Sequence, residues 1–243
     1  MSGYYEAVVR VLDELQRTQA KPIGEAADLI FSSLLADGVL HVFGSGHSHL
    51  VAEEAFHRAG GLVPVNTMTE PFLSPLTAPK KSGRFERLSG IAGVLLDYHE
   101  PQAGEVLIII SNAGINPVPV ELALEGKTRQ LTIIAITSLH HAQAVASRHV
   151  SGRRLFELAD VVINNGGEAG DGALSVQGLA AKVGPTSLIA GAFIINSIVC
   201  GVVERFVAKG LVPPIYLSAN LPEGDEHNRR LEAKYRRRIK LLA

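Results

Sequence analysis

An uninterrupted apolar run, Val106–Ile110, restricts the fold of this chain more than any other feature. A strand that is apolar at every position must be covered on both faces, as central strands of parallel sheets are. Four further β-rich runs lie at 39–43, 62–66, 131–137 and 159–164. Residues 67–90 are less regular, and a helix is expected to begin near Phe85. Between the strands, helical periodicity predicts helices at 49–59, 85–98 and 142–149 and over about 185–209. This alternation predicts an α/β fold with a doubly wound, flavodoxin-like (Rossmann-type) five-stranded parallel sheet and right-handed crossovers.

Composition agrees with such a sheet. Hydrophobic residues make up 47% of the 243 residues and aromatic residues only 5%, so Ala, Val, Leu and Ile must form the core. No linker, repeat or low-complexity segment divides the chain. We expect one domain over residues 1–243, with two helices in 4–36, a sheet core over about 39–210 and a charged helix over about 226–242.

Charge and targeting signals exclude several classes of protein. The net charge of −1 lacks the basic excess of nucleic-acid binders. The single cysteine, Cys200, cannot form an intrachain disulfide, which favours a reducing compartment. The N-terminus has no signal-peptide pattern. The longest apolar stretch, Leu188–Val203, contains Asn196 and Ser197 and is shorter than the roughly 20 residues that a bilayer requires. We expect a cytoplasmic protein without nucleic-acid or membrane partners.

The loop after the first strand has the composition of an anion site. It consists of Gly44, Ser45, Gly46, His47 and Ser48. Its glycines let backbone N–H groups approach a ligand, its hydroxyls can donate to phosphate oxygens, and its histidine is expected to line the ligand pocket. His49 stands where a dinucleotide fingerprint has its third glycine, which disfavours a nucleotide ligand.

A second loop follows the most apolar strand. Its candidate ligand-binding residues are Ser111, Asn112, Gly114 and Asn116. Asn116 followed by Pro117 predicts an N-cap and a helix over 117 to about 125. Because ligands of doubly wound sheets bind at the carboxyl ends of strands where the strand order reverses, we expect the two loops to hold one ligand together.

With GSGHS at 44–48, SNAGIN at 111–116 and the helix start at Gly184–Ser187, the chain resembles the sugar isomerase (SIS) domain family. Within that family it is most similar to SIS proteins described as phosphoheptose-isomerase-like. The resemblance implies a sugar phosphate held by both loops, and it adds Thr186 and Ser187 to the substrate-binding candidates. The chain departs from the family pattern at Ala113 and Asn116, where hydroxyl residues are expected.

The resemblance also implies a cofactor-independent aldose–ketose isomerase that moves a proton through a cis-enediol. The matching carboxylate base is Glu70, after the second strand, with Glu53 and Glu54 as rivals. His99 is a candidate general acid for ring opening, although a structural histidine is an equal alternative. A sensor that binds the sugar phosphate without chemistry, and a lyase or etherase acting on an amino-sugar phosphate, remain open.

Metal binding and assembly are the last two questions that the sequence raises. His47, His49, His57 and the pair at 140–141 are potential zinc ligands, but no carboxylate-rich or cysteine spacing completes a site. We therefore expect no metal and no cofactor. Apolar helical surface and the family resemblance favour a homodimer or homotetramer with the pocket near the subunit interface.

Overall fold

The structure is a computed structural model that describes residues 2–76 and 79–242, so residues 77–78 of the segment expected to be irregular lie outside it. The helices are α1 (Ser2–Thr18), α2 (Ala20–Leu35), α3 (Ser48–Glu54), α4 (Pro79–Phe85), α5 (Ile91–His99), α6 (Pro117–Thr128), α7 (Leu139–Ala144), α8 (Ser187–Ala208) and α9 (Gly224–Tyr235). The strands are β1 (Leu40–Gly44), β2 (Val65–Thr67), β3 (Val106–Ile110), β4 (Thr132–Thr137), β5 (Val161–Asn164), β6 (Gly172–Leu174) and β7 (Val183–Pro185).

Strands β1 to β5 form one parallel sheet in the order β2-β1-β3-β4-β5. In register, Val106 of β3 lies opposite Leu40 of β1 and Thr132 of β4. The chain passes from β1 outward to β2 and then returns to β3 on the other side of β1. The strand order therefore reverses between β1 and β3, and the two predicted ligand loops follow these strands. The doubly wound five-stranded prediction is confirmed.

Alternate residues of β3 belong to two separate cores, which explains why that strand is apolar throughout. Ile108 faces a core with α2, α3 and α8, whereas Leu107 and Ile109 face a core with α5 and α6. In both cores the β3 residues are completely buried. Helices thus cover each face of the sheet, and the carboxyl ends of the strands are left for a ligand.

Several predicted boundaries were wrong for local reasons. The strand expected at 62–66 is β2 at 65–67, because Val63 donates to Pro214 O and Leu62 bridges Ile215 in antiparallel fashion. The helix expected near 85–98 begins only at Ile91, as α5, because residues 86–90 form turns that end at Gly90 with a φ of 87°. The preceding helix α4 ends at Phe85.

Several further elements differ from the expectation. The helix expected at 49–59 ends at Glu54, and the stretch expected at 142–149 is helical only over α7, where Ser138 accepts a hydrogen bond from His141 N. The antiparallel pair β6–β7 was not predicted. Helix α9 ends at Tyr235, and a separate 3₁₀ turn follows at 240–242.

Helix α8 agrees with the helix expected over about 185–209, and it extends beyond the apolar stretch Leu188–Val203. Its 22 residues and a mean hydropathy of 1.9 would suffice to cross a bilayer by length and composition alone. Its Ile194, Ile198 and Val202, however, are completely buried in the core beneath the sheet. The expectation that this segment is a core helix agrees with that packing.

Candidate functional site

Loop 1, residues 44–48, turns tightly from β1 into α3. A Cβ at Gly44 would lie 2.2 Å from Ser48 O, so only glycine fits there. Gly46 has a φ of 58°, and its N–H donates to Leu73 O at 3.0 Å. The N–H groups of Ser48 and His49 donate back into the loop. The helix start therefore has few free donors, and the contact to Leu73 brings the segment after β2 against the loop.

The Ser45 hydroxyl is already bound to a carboxylate. Ser45 Oγ donates to Glu86 Oε1 at 2.9 Å, and the serine is only 7% exposed. The backbone oxygen of Glu86 accepts from Val118 N in the first turn of α6, at 3.2 Å. Glu86 thus lies between the two loops. Sequence reasoning missed this residue because 41 positions separate it from Ser45 and no motif marks it.

Loop 2, residues 111–116, is held in shape by its own side chains. Ser111 Oγ accepts from Gly114 N at 3.2 Å, and Asn112 Oδ1 accepts from Asn165 Nδ2 at 2.7 Å. Gly114 has a φ of 60°, and a Cβ on it would lie 2.9 Å from the Leu155 Cβ. Left-handed backbone of this kind aims successive N–H groups into an anion-binding concavity.

The donors that loop 2 offers are those of the loop itself, not those of α6. Pro117 and Pro119 have no N–H, and Val118 N is bound to Glu86 O. In the described part of the chain, no acceptor contacts the backbone N–H groups of Ala113 and Asn116. A ligand at this position would therefore contact the backbone N–H groups of loop 2 and not those of α6.

Asn116 occupies the predicted N-cap position, but its side chain does not cap α6. Instead, Asn116 Oδ1 accepts from Arg148 Nη1 at 2.9 Å. Arg148 belongs to residues 145–154, a segment with a turn closed by Gly152 N and His149 O, that we call the strap. The strap is bound to loop 2 through Arg148 N to Ile115 O, and directly after it Leu155 N donates to Gly114 O, each at 2.8 Å.

The start of α8 already binds an anion of the chain. The N–H groups of Thr186 and Ser187 donate to Asp171 Oδ1, and Ser187 Oγ donates to Asp171 Oδ2 at 2.5 Å. The Asp171 carboxylate thus accepts the hydrogen bonds of Thr186 and Ser187, two of the predicted substrate-binding residues. Beside it lies a cavity of about 600 Å³ whose lining includes His47 and Lys182.

Glu70 lies at the carboxyl end of β2, three residues before Leu73. It is half-buried, and burial raises the pKa of its carboxyl group. Within residues 2–76 and 79–242, no hydrogen bond or ion pair engages this carboxylate. The two rival glutamates are engaged: Glu53 pairs with His49 at 3.1 Å, and Glu54 contacts Arg58 and accepts from Asn196 at 2.9 Å.

His99 does not belong to this site. Its Nδ1 accepts from Asn66 Nδ2 at 3.1 Å, and the same amide donates to His41 Nδ1 at 3.0 Å. His41 is the second residue of β1, roughly 10 Å from Gly44 at the rise of a strand. The structure therefore separates His99 from the two loops, which disfavours its predicted role as general acid.

The histidines considered as zinc ligands are dispersed. His57 pairs with Glu232 at 3.1 Å, and His140 lies 4.0 Å from Glu168. Among the described residues, no three His, Cys, Asp or Glu side chains are grouped as a metal site. The arrangement at the loops is one of hydroxyls, amides and carboxylates, with the guanidinium of Arg148 at loop 2.

The sequence model of the SIS domain matches residues 3–138. The chain belongs to the SIS-domain family. This SIS-domain protein is 39% identical over 240 residues to a UPF0309 protein of Shouchella clausii, covering 97% of this chain and 96% of the relative. A UPF0309 protein of Thermoanaerobacter pseudethanolicus is 41% identical over 243 residues, with 98% of each chain covered.

Solved structures show the same SIS fold. The phosphoheptose isomerase of Neisseria gonorrhoeae is similar with a TM-score of 0.57 at 18% identity, over 84% of this chain and 96% of that one. A phosphoheptose isomerase of Francisella tularensis gives 0.57 at 16% identity, over 83% and 95%. The predicted family and the predicted SIS fold are both confirmed.

Proposed function

We propose that this SIS-domain protein binds a phosphorylated sugar across loops 1 and 2 and isomerises it between aldose and ketose without a cofactor. The observation that carries the catalytic part is the Glu70 carboxylate: half-buried, without a partner in the described chain, and close to loop 1. A base that is paired with a cation or capped by donors is a weaker acceptor, and Glu53 and Glu54 are paired in this way.

The raised pKa of Glu70 suits proton abstraction beside a carbonyl. In the open-chain aldose phosphate, Glu70 would take the proton from C2, and the electron pair left behind would form the C1–C2 double bond of an enediol as the carbonyl oxygen gains a proton. Return of the proton to C1, with loss of the hydroxyl proton at C2, gives the ketose. Binding energy from the remote phosphate would hold C2 against the base during both steps.

Proton exchange tests this proposal directly. The purified protein is incubated in deuterated water with pentose, hexose, heptose and amino-sugar phosphates, and deuterium at C1 and C2 is followed by NMR. We expect exchange with at least one sugar phosphate and a loss of about 10²- to 10⁴-fold in Glu70→Gln. Glu125→Gln is the matched control, because burial also raises the pKa of Glu125 but that residue lies well inside α6.

Three outcomes would change this assignment. Exchange that survives unchanged in Glu70→Gln would remove this glutamate as the base. A sugar phosphate that raises the melting temperature but shows no exchange over hours would favour the sensor. Loss of the ether or amine substituent from an amino-sugar phosphate would favour the lyase or etherase.

We further propose a cytoplasmic location and a homodimer or homotetramer with the site near the subunit interface. The proposed assembly is based on the surface of α8. Only 39% of its most apolar 18-residue window is buried, although the mean hydropathy of that window is 1.9. Leu188, Ile189 and Val207 are each more than a third exposed on this helix. A second copy would cover this apolar surface, which begins directly after the cavity at Ser187.

A further inference from the structure

We propose that Arg148 is a further substrate-binding residue, whose guanidinium receives the phosphate of a sugar phosphate held at loop 2. The proposal rests on the proposed function in one respect, that the ligand is a sugar phosphate. It concerns the side chain that supplies positive charge at loop 2. Arg148 had no role in the sequence interpretation, because nothing in the pattern of residues 145–154 places them against loop 2.

The position of Arg148 is fixed by the backbone. Its own N–H donates to Ile115 O, and Leu155 N beyond the strap donates to Gly114 O. The strap is therefore anchored to two consecutive carbonyl oxygens of loop 2. Asn116 Oδ1 then accepts from the guanidinium, so the charge is held at the end of loop 2.

The guanidinium of Arg148 has N–H donors left for a ligand. Arginine carries five N–H donors, and the one hydrogen bond to a side chain that Arg148 makes in the described chain is the bond to Asn116. No carboxylate of the described residues lies within 4 Å of it. The neighbouring His149, by contrast, lies 3.6 Å from Glu121. An exposed arginine without an acidic partner, next to free backbone N–H groups, matches the bidentate geometry of a phosphate.

Two other groups of predicted substrate-binding residues already contact carboxylates of the chain. Glu86 accepts from Ser45 in loop 1, and Asp171 accepts from Ser187 at the start of α8. A phosphate at either place would meet a like charge, and repulsion between like charges in a partly buried site is costly. At loop 2, by contrast, the guanidinium of Arg148 supplies a positive charge.

This arrangement also accounts for the two departures from the family pattern. Ala113 and Asn116 remove hydroxyl donors from loop 2, but Asn116 holds Arg148, which brings several donors and a full charge. The phosphate would lie at loop 2, and the reacting carbons would extend toward loop 1, where Glu70 and Glu86 supply carboxylates. The positive and negative ends of the site thus orient the sugar.

Binding of inorganic phosphate, measured by calorimetry and thermal shift, tests this without knowledge of the sugar. We expect Arg148→Gln to weaken phosphate binding about 10- to 100-fold, as loss of a charged hydrogen-bonding partner does. Arg148→Lys should recover part of the affinity, because it restores charge without the planar fork. Arg153→Gln is the matched control: Arg153 lies on the same strap, is exposed, and donates to Glu157 O.

Each outcome bears on either the Arg148 proposal or the isomerase proposal. Equal weakening in Arg148→Gln and Arg153→Gln would overturn the proposal, since only the general charge would matter. Unchanged phosphate affinity in Arg148→Gln, with an unchanged melting temperature, would also overturn it. If Arg148→Gln loses phosphate binding and no sugar phosphate is turned over by the parent protein, the subsite stands and the isomerase proposal fails. If a sugar phosphate is turned over with an unchanged KM in Arg148→Gln, the reverse holds.

Discussion

At the residue scale, a line of buried polar side chains crosses the amino edge of the sheet. Glu105 accepts from Val39 N, Gln102 N, Arg238 and His41 Nε2. His41 Nδ1 in turn accepts from Asn66, whose amide also donates to His99 Nδ1.

This line has a definite pH dependence. Burial lowers the pKa of His99 to about 4, with the nearby His41 and Lys240 acting in the same direction. Burial would raise the pKa of Glu105, but hydrogen bonds from His41, Gln102 N and Arg238 outweigh it and lower that pKa to about 2. The folded state thus binds fewer protons than the unfolded state in acid.

We expect the free energy of unfolding to fall as the pH drops from 6.5 to 4, because unfolded His99 takes up a proton that the folded chain refuses. A second loss follows between pH 4.5 and 2 from Glu105. Denaturant titrations across this range measure both. In His99→Gln the first loss should shrink by an amount on the order of 2 kcal/mol. A slope identical to that of the parent protein would show that another group is responsible.

At the element scale, the turn from β1 into α3 depends on the absence of a side chain at Gly44. We expect Gly44→Ala to destabilise the protein by about 3 kcal/mol or more, because its Cβ would overlap the Ser48 carbonyl and displace the helix. Chemical denaturation measures the difference.

Gly60→Ala separates this clash from backbone strain. Gly60 has a φ of 81°, and a Cβ there meets nothing within 4 Å. Its cost should be about 1 kcal/mol, that of a left-handed backbone alone. Equal losses in the two variants would mean that the contact with Ser48 is relieved at little cost.

The elements were predictable from sequence to the extent that their signals are local. Val106–Ile110 was predicted to the residue, because a strand that packs on both faces is apolar throughout. The short strand at 65–67 was shifted because the preceding residues pair with 214–215, a partner about 150 positions away. The pair β6–β7 has no apolar alternation, and its strands of three residues leave little pattern to detect.

The parts of the candidate site, too, were predictable only where their signals are local. The positions of loops 1 and 2 followed from strand order and glycine placement. Glu86, Asp171 and Arg148 were not predicted as parts of it, since each arrives from another segment through a contact that no spacing encodes. These three residues determine the distribution of charge at the candidate site, which therefore could not be predicted from the sequence.

At the scale of the whole molecule, the exposed apolar face of α8 predicts self-association. We expect light scattering to give at least twice the chain mass of 25.9 kDa. Val207→Asp should shift the protein toward the monomer, because a charge would then lie in an apolar contact. Val94→Asp is the matched control: Val207 is 62% exposed and Val94 68%, but Val94 lies on α5, over the opposite face of the sheet. A monomeric parent protein would contradict the prediction.

The hydrogen bond from Val118 to Glu86 provides a spectroscopic reporter of the site. Because Pro117 and Pro119 carry no amide proton, Val118 gives the single amide resonance from the first three positions of α6. Its chemical shift and its rate of exchange with deuterium depend on whether the Glu86 carbonyl stays in place. One cross-peak in a spectrum of valine-labelled protein would therefore follow the segment that carries Glu86 as a ligand enters between the two loops.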